Sequence, residues 1–356
     1  MAPRHRHPRR QHKTKAITDT KLREAARKYC PRAWRNMSAR KLLSSTAAFA
    51  TAAGVGVAAW TQIERRMPTL RRYAVELPEG LETPALRILQ IADPHLYPGQ
   101  DFLVDFIRGL ADEDFDFVVA TGDNFGSIAG ADMVRRAFEP LTDRPGAFVF
   151  GSNDYYSPRK KRWSTYLTGP SKHSKKRNVP DLPWEDLASF FEAAGWVNLT
   201  NQAEIIDVPV KTPIFEGDAN RTDLARIGLI GVDDPHIKRD RIPELPDGWY
   251  AADTIRLGIT HAPYQRVLNE YTSDEAHLIL AGHTHGGQLC VPGYGALVTN
   301  CDLPRELASG LATWSFAGKE SPLHVSAGLG TSPYAPVRFA CRPEASIIEM
   351  RSAARA

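Results

Sequence analysis

Cysteine is scarce in this chain of 356 residues, and its four positions, Cys30, Cys290, Cys301 and Cys341, show no Cys-x-x-Cys spacing. That argues against a zinc ribbon and against a small fold stapled by disulfides. A Cys301–Cys341 bridge is one pairing open to the chain, with nothing in the spacing to select it. Charge is missing altogether from residues 42–63. Acid is almost missing from residues 1–41, where fourteen Lys and Arg face only Asp19 and Glu24; that end carries +12 and, with the whole chain at +4, the remainder carries −8. The basic character belongs to the tail, where a cytoplasmic segment that holds a membrane orientation is favoured over nucleic-acid binding, so no nucleic-acid partner is expected. What is present is ordinary globular composition, 42% hydrophobic and 24% charged, with length for one large domain and appendages.

Residues 1–41 hold too few apolar side chains to bury a core and read as a mostly disordered tail, with Met37 as an alternative start. The 22 uncharged residues 42–63 would span roughly 33 Å as a helix, against about 30 Å of bilayer hydrocarbon. Arg40-Lys41 is not a twin-arginine signal and no small-residue cleavage site precedes Glu64, so the stretch reads as an uncleaved transmembrane anchor. An Ala-rich soluble helix is the alternative. The heavier basic cluster lies ahead of it, although Arg65, Arg66, Arg71 and Arg72 follow, which places the N-terminus in the cytoplasm and the rest in an extracytoplasmic position at the cell membrane. Residues 64–84 read as a linker and residues 85–350 as the globular domain.

The body is organised as strands that end in polar turns. Residues 86–92 alternate as a strand and end in Asp93-Pro94-His95, a carboxylate and an imidazole two residues apart. Phe102, Phe106 and Leu110 fall at i, i+4 and i+8 of an amphipathic helix leading to a second strand, 117–121, which ends in Gly122-Asp123-Asn124. A helix carrying Met133, Val134, Ala137, Phe138 and Leu141 leads to a third strand, 147–150, ending in Gly151-Ser152-Asn153-Asp154. One aspartate at a strand end is more often a turn or a helix cap; three in succession, at the carboxyl ends where open α/β sheets place their sites, point to a ligand-binding edge.

A basic excursion over residues 157–183 breaks this rhythm, and its default reading is a solvated loop. Arg159, Lys160, Lys161 and Arg162 within it are candidates for attracting an anionic substrate. A helix over 184–194 and strands over 203–208 and 226–232 follow, the last ending in Asp233-Asp234-Pro235-His236, an echo of the first block. A strand over 254–260 ends in His261, with Pro263 suited to a helix start. Residues 276–281 make a short buried strand, Gly282 permits a sharp turn, and His283-Thr284-His285 sets two imidazoles on one side of an extended segment. Mixed imidazole and carboxylate ligands suit manganese, iron or zinc.

The ordered series Asp93-Pro94-His95, Gly122-Asp123-Asn124, Gly151-Ser152-Asn153-Asp154, Thr260-His261-Ala262-Pro263 and Gly282-His283-Thr284-His285 resembles the blocks of the calcineurin-like metallophosphoesterase superfamily over residues 85–350. The Gly286-Gly287-Gln288 that follows, with residues 328–332 and Pro336-Val337-Arg338-Phe339 downstream, looks most like the bacterial membrane-linked phosphodiesterases of that superfamily. The resemblance implies an α/β fold, a four-layer α/β/β/α sandwich, here preceded by the single transmembrane helix. It implies two divalent metal ions, the first on Asp93, His95 and His285, the second on His261 and His283, with Asp123 bridging. It implies in-line attack on phosphorus by a metal-bound hydroxide, with no covalent nucleophile.

The third block departs from the family pattern. Ser152 stands where an amide ligand is expected and Asn153 where the family has a His that assists the leaving group. An amide oxygen binds a divalent ion better than a neutral hydroxyl, so Asn153 is expected to complete the second metal's shell, with Asp154 as runner-up. His236 is the candidate general acid in place of the missing His. The expected protein is a membrane-anchored phosphodiesterase or phosphatase, with phospholipids and other anionic envelope phosphoesters among its candidate substrates. The alternative is a member of the same superfamily that binds metal and ligand without hydrolysis.

Overall fold

The computed structural model describes residues 39–81, 83–160, 179–211 and 222–352. The basic tail 1–38 and residues 161–178 of the excursion therefore lie outside the described residues. The chain divides into two compact units, residues 1–58 and 59–356, and the division falls inside helix α1, Ala39–Glu64.

That helix contains the uncharged stretch, but the expected transmembrane anchor is not supported. Among the described residues no helix is long and apolar enough to cross a membrane. Alanine, threonine, serine and glycine outnumber the large apolar side chains over residues 42–63, so the segment has the length of a span without the hydropathy. Its last turn belongs to the larger unit: Thr61 and Glu64 are buried. The Glu64 carboxylate accepts from the backbone N–H of Ala340 and Cys341 at 3.0 and 2.7 Å and from Trp60 Nε1 at 2.7 Å.

Strands of the larger unit run, in chain order, β1 (Thr69–Leu77), β2 (Leu86–Ile91), β3 (Phe117–Ala120), β4 (Gly146–Phe148), β5 (Val197–Asn198), β6 (Gln202–Lys211) and β7 (Thr222–Gly231). They continue with β8 (Thr254–Thr260), β9 (Leu278–Ala281), β10 (Cys290–Val291), β11 (Gly295–Ala296), β12 (Gly310–Phe316), β13 (Lys319–Val325) and β14 (Glu344–Ser352). The longer helices are α2 (Asp101–Gly109), α3 (Ala131–Phe138), α4 (Trp184–Ala193) and α5 (Gln265–Ser273), with a single helical turn at Ser152–Tyr155. One six-stranded sheet has the order β1-β14-β2-β3-β4-β5 and the other β12-β13-β9-β8-β7-β6, while β10 and β11 form a separate ribbon.

Period two explains how the sheets stack. Ile88, Phe117 and Val119 share a core with Ile227, Leu257 and Leu280 of the second sheet. Their neighbours Leu89, Ile91, Val118 and Ala120 face the other way, into a core with Leu103 and Val104 of α2, Val134 and Phe138 of α3 and Phe191 of α4. Beyond the second sheet Ile279, Ala281 and Val325 pack with Val267, Leu268 and Tyr271 of α5. The result is helix, sheet, sheet, helix. Parallel strands buried on both faces are near-continuous apolar runs, which is why the sequence displays them so plainly.

The stretch read as a linker, 64–84, holds β1, which pairs in parallel with β14 from Thr69 with Glu344 to Leu77 with Ser352. Arg71 and Arg72 are exposed while Val75 and Leu77 are buried, so only half of this edge strand carries an apolar signal. Strands β2, β3 and β4 run parallel to one another, as do β7, β8 and β9. Each of the polar blocks thus follows the carboxyl end of a parallel strand.

Candidate metal centre

Backbone bonds draw these strand ends together. Asp93 N–H donates to Gly122 O and His95 N–H to Asp123 O, both at 3.0 Å, and Gly282 N–H donates to His261 O at 2.9 Å. The two sheets are tied at the same place: His283 N–H donates to Asp93 Oδ2 at 2.8 Å, and His261 Nδ1 donates to Thr121 O at 2.8 Å. Asp93, His95, Asp123, His283 and His285 all lie in the left-handed region, with φ between 43° and 69°. Such conformations are unfavourable for side chains with a Cβ and persist where the surroundings over-determine them. Glycine is required beside them, since a Cβ on Gly151 would come 2.6 Å from His261 Cε1 and one on Gly282 2.6 Å from Asp93 Oδ2.

The structure brings Asp93, His95 and His285 into one group and Asp123, His261 and His283 into a second, with the ligand atoms of each group within 4.8 Å of one another. Asp123 stands between them, its Oδ2 3.5 Å from His95 Nε2 and 3.6 Å from His261 Nε2. His95 Nε2 and His285 Nε2 face each other at 3.1 Å, and His283 Nδ1 faces His261 Nε2 at 3.2 Å. His285 Nε2 is 3.8 Å from Asp93 Oδ1.

The electrostatics fit a divalent cation in each group. Asp93 Oδ1 is buried and has no hydrogen-bond partner, an acceptor lacking the positive charge that its burial demands. Burial, with the Asp123 charge beside it, pushes the Asp93 carboxyl up to about 7 against the pull of His261. Burial acts upward on Asp123 too, yet His261, His95 and the Asn153 hydrogen bonds outweigh it and hold that carboxyl well below its ordinary range. Burial lowers His95, His283 and His285, keeping them as the neutral imidazoles that bind metals. His261 is the exception: burial would lower it, but Asp123, Asp234 and Asp93 together raise it to about 9. These buried carboxylates thus favour positive charge at the His261 ring. Nitrogen and carboxylate oxygen donors without thiolate are a set that manganese, iron and zinc all accept.

In the third block Asn153 folds onto Asp123, donating its backbone N–H to Oδ1 and its side-chain Nδ2 to Oδ2, each at 2.7 Å. Asp154, the runner-up ligand by sequence, is fully buried and occupied elsewhere. Its carboxylate accepts from the backbone N–H of Gly151 at 2.9 Å, of Asp123 at 2.8 Å and of Asn124 at 2.8 Å, and from Asn124 Nδ2 at 3.1 Å. It is a buckle for the loops, outside both ligand groups.

His236 arrives at the edge of the second group, its ring 4.5 Å from that of His283 and its Nδ1 3.1 Å from Tyr264 Oη. Asp233 of the same block is turned to other partners, accepting from Tyr155 Oη at 2.9 Å and Arg239 Nε at 2.6 Å. Arg159 and Lys160 are exposed, and with Lys161 and Arg162 outside the described residues the basic excursion has no described place beside the site.

One residue of the site had no role by sequence. Arg338 is completely buried, donates from Nη2 to Gly328 O at 2.8 Å and Gly330 O at 2.7 Å, and stands 3.5 Å from His285 Nδ1. The segment it straps is bonded to the first ligand, Leu329 N–H to Ala92 O at 2.9 Å and Gly330 N–H to Asp93 O at 2.7 Å. In sequence it stands inside the Pro336-Val337-Arg338-Phe339 segment of the resemblance, where nothing in the spacing assigns it a partner.

Residues 86–287, from the start of β2 through the His283-Thr284-His285 turn, match the family described as calcineurin-like phosphoesterase. No curated protein matches the chain. Among solved structures it is similar to the phosphopantetheinyl hydrolase PptH from Mycobacterium tuberculosis, at 11% identity, covering 73% of this chain and 96% of that one, with a TM-score of 0.33. It is similar to the NAD nucleotidase NadN of Haemophilus influenzae, at 13% identity, 75% of this chain and 55% of that one, with a TM-score of 0.37. It is also similar to GAP50, the anchor in the inner membrane complex of Plasmodium, at 11% identity, 72% of this chain and 76% of that one, with a TM-score of 0.33. Likenesses this distant carry nothing about activity. The family match spans more than half of the chain and takes in every Asp and His of the two ligand groups, and on it the chain belongs to the calcineurin-like phosphoesterase family.

Proposed function

We propose that this protein is a metal-dependent phosphoester hydrolase, a phosphodiesterase or phosphatase, with two divalent ions held by Asp93, His95 and His285 and by Asp123, His261 and His283. The observation that carries this reading is the position of Asp123, one carboxylate oxygen within 3.6 Å of an imidazole nitrogen from each group. A pair of ions held this way supplies Lewis-acid stabilisation of phosphoryl oxygens and lowers the pKa of a shared water.

The chain's own side chains orient and tune the rest. The bond from His261 Nδ1 to Thr121 O fixes the ring and leaves Nε2 free for the site. Asn153 completes the second group, because a half-turn of its amide presents Oδ1 at the point where Nδ2 now meets Asp123. His236, held by Tyr264, is the imidazole that delivers a proton to the departing oxygen. With no imidazole in the third block, esters with acidic leaving groups are the favoured substrates.

The test is elemental analysis of the purified protein together with turnover of bis(4-nitrophenyl) phosphate and 4-nitrophenyl phosphate, extended to nucleotide and phospholipid esters. Two equivalents of metal with hydrolysis of at least one ester support the reading. Metal without turnover of any of them points to the non-hydrolytic alternative that the altered third block favours, and absence of metal sinks both.

A further inference from the structure

Cys341 does have a thiol neighbour, and it is not Cys301. Cys301 is buried in the core beneath α5 with Leu303 and Val267. Leu289 and Phe339 instead form a parallel bridge, with Phe339 N–H on Gln288 O at 3.1 Å and Cys290 N–H on Phe339 O at 2.9 Å. Residues 288–290 therefore lie alongside residues 338–340, with Cys341 one residue beyond the position opposite Cys290. Both thiols turn onto one carbonyl, Cys290 Sγ at 3.0 Å and Cys341 Sγ at 3.6 Å from Gly286 O, and Cys341 Sγ also stands 3.2 Å from His285 O. Both are free and half-buried, within reach of a small oxidant. The buried Arg338 guanidinium lies 3.8 Å from Cys341 Sγ, the electropositive setting in which thiols react most readily.

We propose that Cys290 and Cys341 form a reversible redox pair whose disulfide loosens the turn carrying His285. The oxidant is a hydroperoxide. One thiol attacks the peroxide oxygen, giving a sulfenic acid and releasing water or an alcohol; the second thiol then displaces the sulfenic hydroxyl as water, forming the sulfur–sulfur bond. Two S–H bonds are lost and one peroxide is reduced. A dithiol reductant reverses the change.

The reach to His285 follows from what the thiols hold. In the reduced state their S–H groups donate to the carbonyls of His285 and Gly286. A disulfide has no hydrogen to donate, and it draws the two sulfurs to about 2.05 Å apart. The turn has little slack on that side, since Gly286 has φ of 59° and a Cβ there would already come 2.7 Å from Cys341 Sγ. His285 therefore shifts relative to Asp93 and His95, and the first ion is released. This second half rests on the metal reading given above; the disulfide does not.

The experiment uses the full chain, reduced, then exposed to a few equivalents of hydrogen peroxide, alkylated and digested. A peptide joining Cys290 to Cys341 is expected, with two fewer alkylated thiols, reversal by dithiothreitol, and one of two metal equivalents lost on oxidation. Cys290→Ser, which keeps a hydroxyl donor for Gly286 O, should retain both equivalents under peroxide. No cross-link, or a cross-link to Cys301 or Cys30, overturns the pair, and a Cys290–Cys341 cross-link with unchanged metal content overturns its control of His285. Protein that holds no metal even when reduced counts against the metal reading, while the peptide map still decides the disulfide.

Discussion

Replacing Asp154 with alanine separates a scaffold from a ligand in the altered third block. Its carboxylate is wholly buried and accepts from the main chain of Gly151, Asp123 and Asn124 and from the Asn124 side chain, at 2.8 to 3.1 Å. Hydrogen bonds to a charged partner contribute about 1.5–3 kcal/mol each, and a buried donor left unpaired costs about 1–3 kcal/mol. Adding these for every bond overshoots, because the bonds share one acceptor and water can enter a cleft whose loops relax. A loss of about 4 kcal/mol is expected, near the upper end for one substitution. The loss belongs to the metal-free protein, since none of these bonds needs an ion.

Urea unfolding of the chelated protein, followed by tryptophan fluorescence, reads that loss as a lower midpoint at unchanged slope. Asp154→Asn should fall between the parent and the alanine variant, because it keeps one acceptor oxygen and turns an NH2 toward two donors. Metal occupancy should fall in both variants as a consequence of the loosened Asp123. An unchanged metal-free midpoint with metal lost would make Asp154 a ligand and refute the reasoning.

Asn153→Ala should lose one of two metal equivalents and nearly all turnover while Ser152→Ala keeps both; full occupancy in Asn153→Ala would place the second ion on other atoms. The metal-free protein should lose stability as pH rises from 6.5 to about 9, because His261 has its folded pKa raised and its protonated form is favoured by folding. The expected size is roughly 3 kcal/mol, and a flat profile in thermal unfolding would exclude it. Glu64→Ala, which strips the acceptor from the Ala340 and Cys341 N–H groups, should lower stability by about 2 kcal/mol; an unshifted unfolding midpoint would mean the last turn of α1 contributes nothing. Chelation should remove both ions and leave near-ultraviolet circular dichroism essentially unchanged, whereas cooperative loss of that signal would make the metals part of the fold.

The sequence exposed the middle of the molecule better than its margins. Strands β2, β3, β7, β8 and β9 are buried on both faces, so their apolar runs are unambiguous, and the polar residues that end them announce the site. Strand β1 was hidden by Arg71 and Arg72 on an edge, and β14 by its place far along the chain, although it lies between β1 and β2. Residues 42–63 misled in the opposite direction, because absence of charge was read as hydropathy while alanine and threonine supply little of it. Arg338 and Asp154 both stand in blocks that the sequence displays, but their partners are backbone carbonyls and main-chain N–H groups, which spacing does not reveal.

The ligand groups are also where the chain departs most from its own local preferences. Five of the six Asp and His side chains sit on left-handed backbone, each such residue costing about 1–3 kcal/mol. These departures are held by bonds that involve no ion. Asp154 gathers the loops after β3 and β4, Arg338 clamps the carbonyls beside Asp93, and Glu344 takes the N–H of Ala327 at 2.9 Å just ahead of that clamp. A site whose geometry is set by its surroundings can select ions by the space and charge it presents, and it need not be rebuilt each time an ion leaves. The same logic explains why both thiols hang on the turn that bears His285. On a frame fixed by buried bonds, that turn is held partly by weak S–H donors, and a small chemical change there can release one ligand while the rest stay in place.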